Sequence, residues 1–523
     1  MSAPTQYVCA GAGPAKDAVR EPLRRHVFFG TALLSTASIT KLALQCTLIP
    51  VLARLLGPQI FGLMSVAMSF VLLANMLSDG GMGAALIREH KCDHELESTV
   101  YWLSVLIGLA LASVVCLIAW PVAVVYHQPL LLSVMLALSP ILIVSSSLCV
   151  PNARIIRSQR FDIFAIGDVC CAVVSAAVGL LLAFAGYGIW SLVWQQLSFW
   201  ATKAIWISRS AGFKPARILR LKSARPLLRF SANTLASNIA DFVSKNFPIL
   251  IVGGTLGVAS VARYAMAYQL TRVAETVVSD PVNLATFSAV ANARRRREAT
   301  EFVITALKIL LLVLLPLFCG LALTADLLAP IVLGQRWIGT GPALAVLAPG
   351  ALFFCLYRFA TGVLLGKGLS GRAFKLTLLT GAATTLGTLL GVHAGVTGAV
   401  AGLSIGAASV APLYLWSLAR PLNVPVGALV AAGRTSVMAT AVMAAAMLLL
   451  RWQVHDAVAP YIQLILAIGT GAASFIAAAM LLGGREIRAA LRMLRNRSHT
   501  ENVRQPSAWP FLPTPMDEAE PAV

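Results

Sequence analysis

The chain has 523 residues, 58% hydrophobic and 12% charged, with a mean hydropathy of +0.81, whereas an ordinary soluble domain is about one quarter charged. That composition excludes a soluble fold. A net charge of +20 raises nucleic acid as a partner, but the basic residues sit in the connections between apolar runs, which makes the surplus a topology signal and leaves no nucleic-acid role.

Residues 1–26 are small, polar and basic, with no apolar stretch leading to a cleavage site, so the first helix is expected to stay in the mature protein. Apolar runs then recur to residue 482. The spans read as 27–55, 58–87, 99–120, 129–151, 161–185, 187–208, 227–256, 258–290, 302–323, 341–365, 374–393, 395–419, 427–449 and 458–482. Each is long enough to cross ~30 Å of hydrocarbon. The fold class is an all-α polytopic membrane protein of about fourteen transmembrane helices.

Alternate connections carry 31 lysines and arginines on one side, against Arg54, Arg336 and Arg451 on the other. This asymmetry places both termini in the cytoplasm and the protein in a bacterial inner membrane. The organisation follows: a tail (1–26), an N-lobe of six helices (27–208), a basic cytoplasmic connector (209–226), a C-lobe of six helices (227–419), two extra helices (420–482), and a basic helix with a disordered tail (483–523). Leu56-Gly57 and Ala67-Met68 recur as Leu256-Gly257 and Ala267-Tyr268 at an offset of 200, and Ser78-Asp79 recurs as Ser279-Asp280. Six helices separate the copies, so the lobes are expected to be parallel repeats around a central cavity. The nine cysteines show no metal-ligand spacing and read as small packing residues, with no metal site.

Charged residues inside spans are expensive in lipid and are expected to face protein or a water-filled cavity. Ser231, Thr234, Asn238, Asp241 and Lys245 share one face of the seventh span; Tyr264, Tyr268, Arg272, Glu275 and Ser279 share one of the eighth. Asn75 and Asp79 lie on the second and Lys41 on the first, whereas the third, ninth, eleventh and thirteenth spans read as apolar almost all round. Lys245 with Asp241 and Arg272 with Glu275 have the spacing of structural pairs, and Lys203 and Lys308 the placing of cations that snorkel to the interface. Arg263 and Arg358 have no carboxylate three or four residues away, which makes them the sharpest candidates for an anionic substrate. Lys41, Lys245, Arg272, Tyr264 and Tyr268 complete the substrate-binding candidates. Asp79, Asp241, Glu275 and Asp280 are candidates for charge pairs or for coupling to H+ or Na+, with no cofactor expected.

Four stretches carry a family resemblance: LARLLGPQIFGLMSVA (52–67), SDGGMGAALIRE (78–89), VLGQRWIGTGPALAVLAP (332–349) and LLGKGLSGRAFKL (364–376). Their order resembles that of the polysaccharide flippases of the multidrug/oligosaccharidyl-lipid/polysaccharide exporter superfamily, most closely the lipopolysaccharide and exopolysaccharide repeat-unit translocases. The resemblance implies two six-helix lobes working by alternating access around a cationic cavity. It also implies an undecaprenyl-diphosphate-linked oligosaccharide as substrate, moved from the cytoplasmic to the periplasmic leaflet, with membrane lipids and the pathway's polymerase and chain-length proteins as partners.

The alternatives are a drug exporter or peptidoglycan-precursor flippase of the same superfamily, and a membrane-embedded polymerase or glycosyltransferase. The basic interior favours a large anion over a cationic drug. An enzyme is disfavoured because His127, His393 and His455 are scattered with no HExxH or DxD beside them, and ATP-driven transport because no GxxxxGK[ST] occurs.

Overall fold

The computed structural model describes residues 20–79, 82–83, 86, 93–158, 160–216, 247–292, 296–454 and 458–500, and of 20–35, 78–79, 161, 292, 296 and 483–500 the backbone alone. All regular structure among them is helical. Among the described residues, nine segments are long and apolar enough to cross a membrane. Two of these, Thr36–Leu77 and Ser370–Leu422, have 42 and 53 residues, each about twice the length that ~30 Å of hydrocarbon requires or more. The first folds back at Gly57 and the second at Val392–Ala394. Ile189–Ala211, the charged 258–292 helix and the described stretch Phe247–Leu256 add to these. The protein is an all-α polytopic membrane protein with about the expected number of crossings.

The sequence repeat has a backbone counterpart. Gly57 adopts φ 75°, ψ 174° and Gly257 φ 81°, ψ 171°, a region that only glycine enters without strain. Both glycines turn the chain from one helix directly into the next. Five residues on, Gly62 lies so close to the other half that a Cβ there would stand 2.0 Å from the Val258 carbonyl oxygen. A helix pair this tight in lipid is held by van der Waals contact between backbones. The main buried cluster spans both halves, with Leu56, Leu63, Ala67 and Val71 beside Val258, Val261, Ala267 and Leu344.

The helix expected to end at residue 482 and restart as a surface helix instead runs unbroken from Pro460 to Thr500. The crossing expected at 129–151 is three abutting helices, Pro129–Leu138, Pro140–Ser147 and Cys149–Arg157, interrupted at Ser139 and Leu148. Pro140 removes one donor from the ladder at the first break. The two extra helices are tied to Arg296–Leu333 by Arg451, which pairs with Asp326 at 3.0 Å and donates to the Leu323 carbonyl.

Candidate substrate cavity

The hydrogen bonds and ring contacts described between residues before 212 and those after 246 all gather at the Gly57/Gly257 end. Trp337, fully buried, donates through Nε1 to the Ala53 carbonyl at 2.9 Å and meets Phe61 edge to face at 5.6 Å. Arg54 donates to the carbonyls of Ile331 and Val332, and Tyr126 to that of Leu250 at 3.2 Å. The two halves are latched here.

Away from this end a cavity of ≈ 140 Å³ opens in the second half. One wall is the 258–292 helix, with Tyr264 fully buried and Tyr268, Arg272 and Glu275 following along the same stripe. The second wall is Thr340–Gly366, which contributes Phe354, Tyr357 and Arg358. The third is Ser370–Gly391, whose Thr377, Thr380 and Thr384 face in.

The charges at the cavity are organised by one irregular turn. Glu275–Ser279 is a π-helix set between α-helical stretches. In an α-helix residues five apart differ by about 140° in direction, whereas the i→i+5 ladder of a π turn stacks them. Glu275 and Asp280 therefore reach the same guanidinium: Arg358 lies 2.6 Å from Asp280 Oδ1 and 4.0 Å from Glu275 Oε2. Glu275 is buried, and Arg358 and Asp280 are each about two-fifths exposed.

The hydroxyl wall comes from a threonine stripe at helical spacing, Thr377, Thr380, Thr384 and Thr388. Each donates to the carbonyl four residues back, the usual way such a side chain is satisfied within a helix. Tyr357 Oη donates to Thr377 Oγ1 at 2.7 Å, and the Thr380 and Tyr414 hydroxyls are 2.9 Å apart. The eleventh span is thus not apolar all round. Its sequence held the signal in the Thr-x-x-Thr-x-x-x-Thr-x-x-x-Thr spacing.

A second charged cluster occupies the first half. Lys41 and Lys203 approach the Phe199 ring at 5.7 and 5.8 Å from its centroid, and Lys203 pairs with Asp168 at 3.3 Å and lies 5.9 Å from the Trp200 ring. Lys203 is thus held within the protein and does not snorkel. Lys41 has no carboxylate at ion-pair distance among the described residues.

The structure brings together Tyr264, Tyr268, Arg272, Glu275, Asp280 and Arg358, and sets two candidates apart. Arg263 lies near the latched end, its Nε buried without a hydrogen-bond partner and 3.0 Å from where a Cβ on Gly339 would stand. Arg358 is nineteen residues beyond Gly339, about 28 Å along the helix. The two arginines therefore do not share one site, and Arg358 finds across helices the carboxylates it lacks on its own. Lys41 sits with the other lysine in the first half. Lys245 and Asp241 lie outside the described residues, and of Asp79 only the backbone is described, ending the helix. Tyr357, Phe199 and Trp200 were not singled out by sequence, because an aromatic in an apolar span carries no pattern of its own.

A family model described as "Polysaccharide biosynthesis protein" matches residues 51–342. The chain belongs to that family. Among curated polysaccharide biosynthesis proteins, it is 26% identical over 311 residues to the succinoglycan biosynthesis transport protein ExoT of Rhizobium meliloti, covering 58% of this chain and 62% of that one. It is 24% identical over 368 residues to the lipopolysaccharide biosynthesis protein WzxC of Escherichia coli, covering 68% and 72%. With the teichuronic acid biosynthesis protein TuaB of Bacillus subtilis it shares 25% over 305 residues, covering 58% and 63%. The match thus spans somewhat under two thirds of ExoT and of TuaB. Among solved structures, the lipid II flippase MurJ in an inward closed conformation superposes with a TM-score of 0.73 at 14% identity, covering 87% of this chain and all of that one. An inward-facing multidrug resistance transporter of the MATE family gives 0.57 at 18% identity, covering 75% and 95%. These likenesses establish the fold of this polysaccharide biosynthesis protein.

Proposed function

We propose that the protein is a carrier that moves an undecaprenyl-diphosphate-linked oligosaccharide repeat unit from the cytoplasmic to the periplasmic leaflet of the bacterial inner membrane, and is not an enzyme. The observation that carries this reading is a polar, charged cavity inside a membrane domain of the polysaccharide biosynthesis family, latched at one end. A diphosphate cannot cross hydrocarbon unaided, so a carrier must offer charge and hydrogen bonds in a hydrated space while the polyprenyl tail stays in lipid. The excess of basic residues in alternate connections supports cytoplasmic termini. On that orientation the latched end, which holds Arg54 and Arg336, faces the periplasm and the halves alternate about it. Lys41, beside Lys203 on one aromatic ring, is the cation we assign to the diphosphate. Glu275 and Asp280, with Asp79 and Asp241, are the carboxylates through which an H+ or Na+ gradient would act.

The test is a chromosomal deletion. Loss of surface polysaccharide, with lipid-linked repeat units accumulating in the cytoplasmic leaflet and both reversed by a plasmid copy, is the expected result. Unchanged polysaccharide together with an unchanged lipid-linked pool defeats the reading. A periplasm-only reporter should be silent when fused near residue 215 or 296 and active near 453, and the opposite pattern inverts the orientation.

A further inference from the structure

The connections at the latched end are poor in lysine and arginine, holding Arg54, Arg336 and Arg451. Two of the three have an internal use: Arg54 donates to the Ile331 and Val332 carbonyls, and Arg451 pairs with Asp326. Arg336 does neither. The short turn Gln335–Trp337 buries Trp337 and leaves Arg336 exposed, its Nη1 3.6 Å from where a Cβ on Gly57 would stand. Arg263 reaches the same loop from the 258–292 helix. Its Nε is buried without a hydrogen-bond partner, and its Nε and Cζ lie 3.0 and 3.1 Å from where a Cβ on Gly339 would stand. The bare backbone of Gly339 is therefore what lets this guanidinium lie against the loop. Two arginines thus meet the segment 335–339, and among the described residues neither has a carboxylate at ion-pair distance.

The height of this segment decides what can meet it. Exposed aromatic side chains gather at the same end: Tyr187, in the turn whose Gly188 lies against Ile60, Trp452 beside Arg451, and Tyr461. Exposed Trp and Tyr at one level mark the boundary between hydrocarbon and water, where lipid phosphates lie. Ile338, between Arg336 and Gly339, is exposed as well, so an apolar side chain stands beside the cations, as an acyl chain requires and a free ion does not. The planar donor fork of arginine matches a phosphate. Two cations without a counter-charge favour a headgroup of net negative charge over a zwitterionic one.

We propose that Arg263 and Arg336 form a site for the headgroup phosphate of an anionic phospholipid in the leaflet at the latched end, and that the bound lipid favours the latched arrangement. The site goes beyond the function proposed above and requires only that this end lie at the membrane surface. Its coupling to the latch follows from the chain: Arg336 touches the Gly57 turn of the first half and adjoins Trp337, whose Nε1 donates to the Ala53 carbonyl. A phosphate shared by Arg336 and Arg263 holds the segment where that bond is made. A ligand that binds one arrangement better than the other shifts the population toward it.

The experiment places the full chain in phosphatidylcholine nanodiscs with a little phosphatidylglycerol bearing a photoactivatable group near its glycerol, and maps the labelled peptides by mass spectrometry. The thermal midpoint of each variant is the folding control. Label is expected on 335–339, more from phosphatidylglycerol than from a phosphatidylcholine bearing the same group. Arg263→Gln and Arg336→Gln should each lower it about tenfold, the loss of one charge-assisted hydrogen bond, and leave label on the basic segment 209–216 unchanged. Gly339→Ala, which keeps both charges and displaces Arg263, should lower it too. Spin labels at residues 59 and 255 should report more of the shorter distance when phosphatidylglycerol is present, in wild type and not in the two arginine variants. The site is overturned if 335–339 takes no label, if both lipids label it equally, or if the arginine variants label as wild type does. Stronger competition from inorganic phosphate or undecaprenyl diphosphate than from phosphatidylglycerol gives the site to a soluble ion or to the cargo, and overturns the lipid. A distance distribution indifferent to phosphatidylglycerol overturns the coupling to the latch. Each of these results leaves the carrier reading to its own deletion test.

Discussion

The latched end and the charged layer about 22 Å from it along the helices hold their neighbours by different means. At the latch, Trp337 and Arg54 bond to main-chain carbonyls of the opposite half, and Gly62 sits against the Val258 backbone. In the charged layer the partners are side chains: Arg358 with Glu275 and Asp280, Lys203 with Asp168. A bond to a carbonyl fixes where a helix lies whatever side chain that residue carries. A bond between side chains fixes a chemistry and can be rewritten by substitution. The latch is thus built to reproduce one geometry at each closure, and the layer to suit one cargo.

The largest effect that would break this contrast is expected at Gly62. Gly62→Val would place a side chain where a Cβ alone is 2.0 Å from a backbone oxygen, and overpacking a rigid contact costs about 1–3 kcal/mol or more. Protein abundance and polysaccharide export should both be lost, whereas Gly427→Ala, which opens onto free space, should leave both unchanged. Normal export from Gly62→Val would show that the helices need not meet here.

Arg358→Ala comes next. It removes the guanidinium beside buried Glu275, and taking one partner from a buried ion pair costs about 3–5 kcal/mol, with the lower end or less expected because Arg358 is 42% exposed and stands 4.0 Å from the carboxylate. Abundance in the membrane should fall, and adding Glu275→Gln should restore much of it. Lost export at normal abundance would instead make Arg358 a direct substrate contact.

Trp337→Phe keeps the buried ring and loses one hydrogen bond, worth about 1 kcal/mol, or roughly a fivefold shift between latched and unlatched populations. Spin labels introduced at residues 59 and 255 should report more of the longer distance, and an unchanged distribution would remove the bond from the latch. The smallest effect belongs to Lys203 and Asp168, both partly exposed. A double-mutant cycle on thermal stability should return a coupling below about 1 kcal/mol, and a larger value would mean that the first-half cluster is as rigid as the latch.

Much of this was legible in the sequence wherever a rule of period or cost applied. Apolar runs mark the crossings, the repeated Leu-Gly marks the matched turns at Gly57 and Gly257, the expense of charge in lipid singles out Arg272, Glu275, Asp280 and Arg358, and the helical stripe adds Tyr268. The partner of Arg358 was not legible, because helical spacing speaks only of neighbours on one helix and both carboxylates lie on another. The threonine stripe was visible but masked by the hydropathy around it. Residues 460–500 divide by composition at 482, where Gly483-Gly484 disfavours a helix, yet the backbone continues through.

The π turn at Glu275–Ser279 behaves as a single residue inserted into an otherwise regular helix. Removing one residue, for instance Val277, would let the helix relax to the ordinary repeat and leave everything beyond it facing nearly the same way, because residues four apart in an α-helix differ by only about 40° in direction. Asp280 would then still share a face with Glu275 and reach Arg358, whereas regularising the helix with no residue removed would turn it about 140° away. In an alignment such a loss is one gap in an apolar stretch, easily taken for noise. Gaps at this position are therefore compatible with the shared arginine: relatives that lack the residue can present both carboxylates from a regular helix, and those that keep it need the wider turn to do the same.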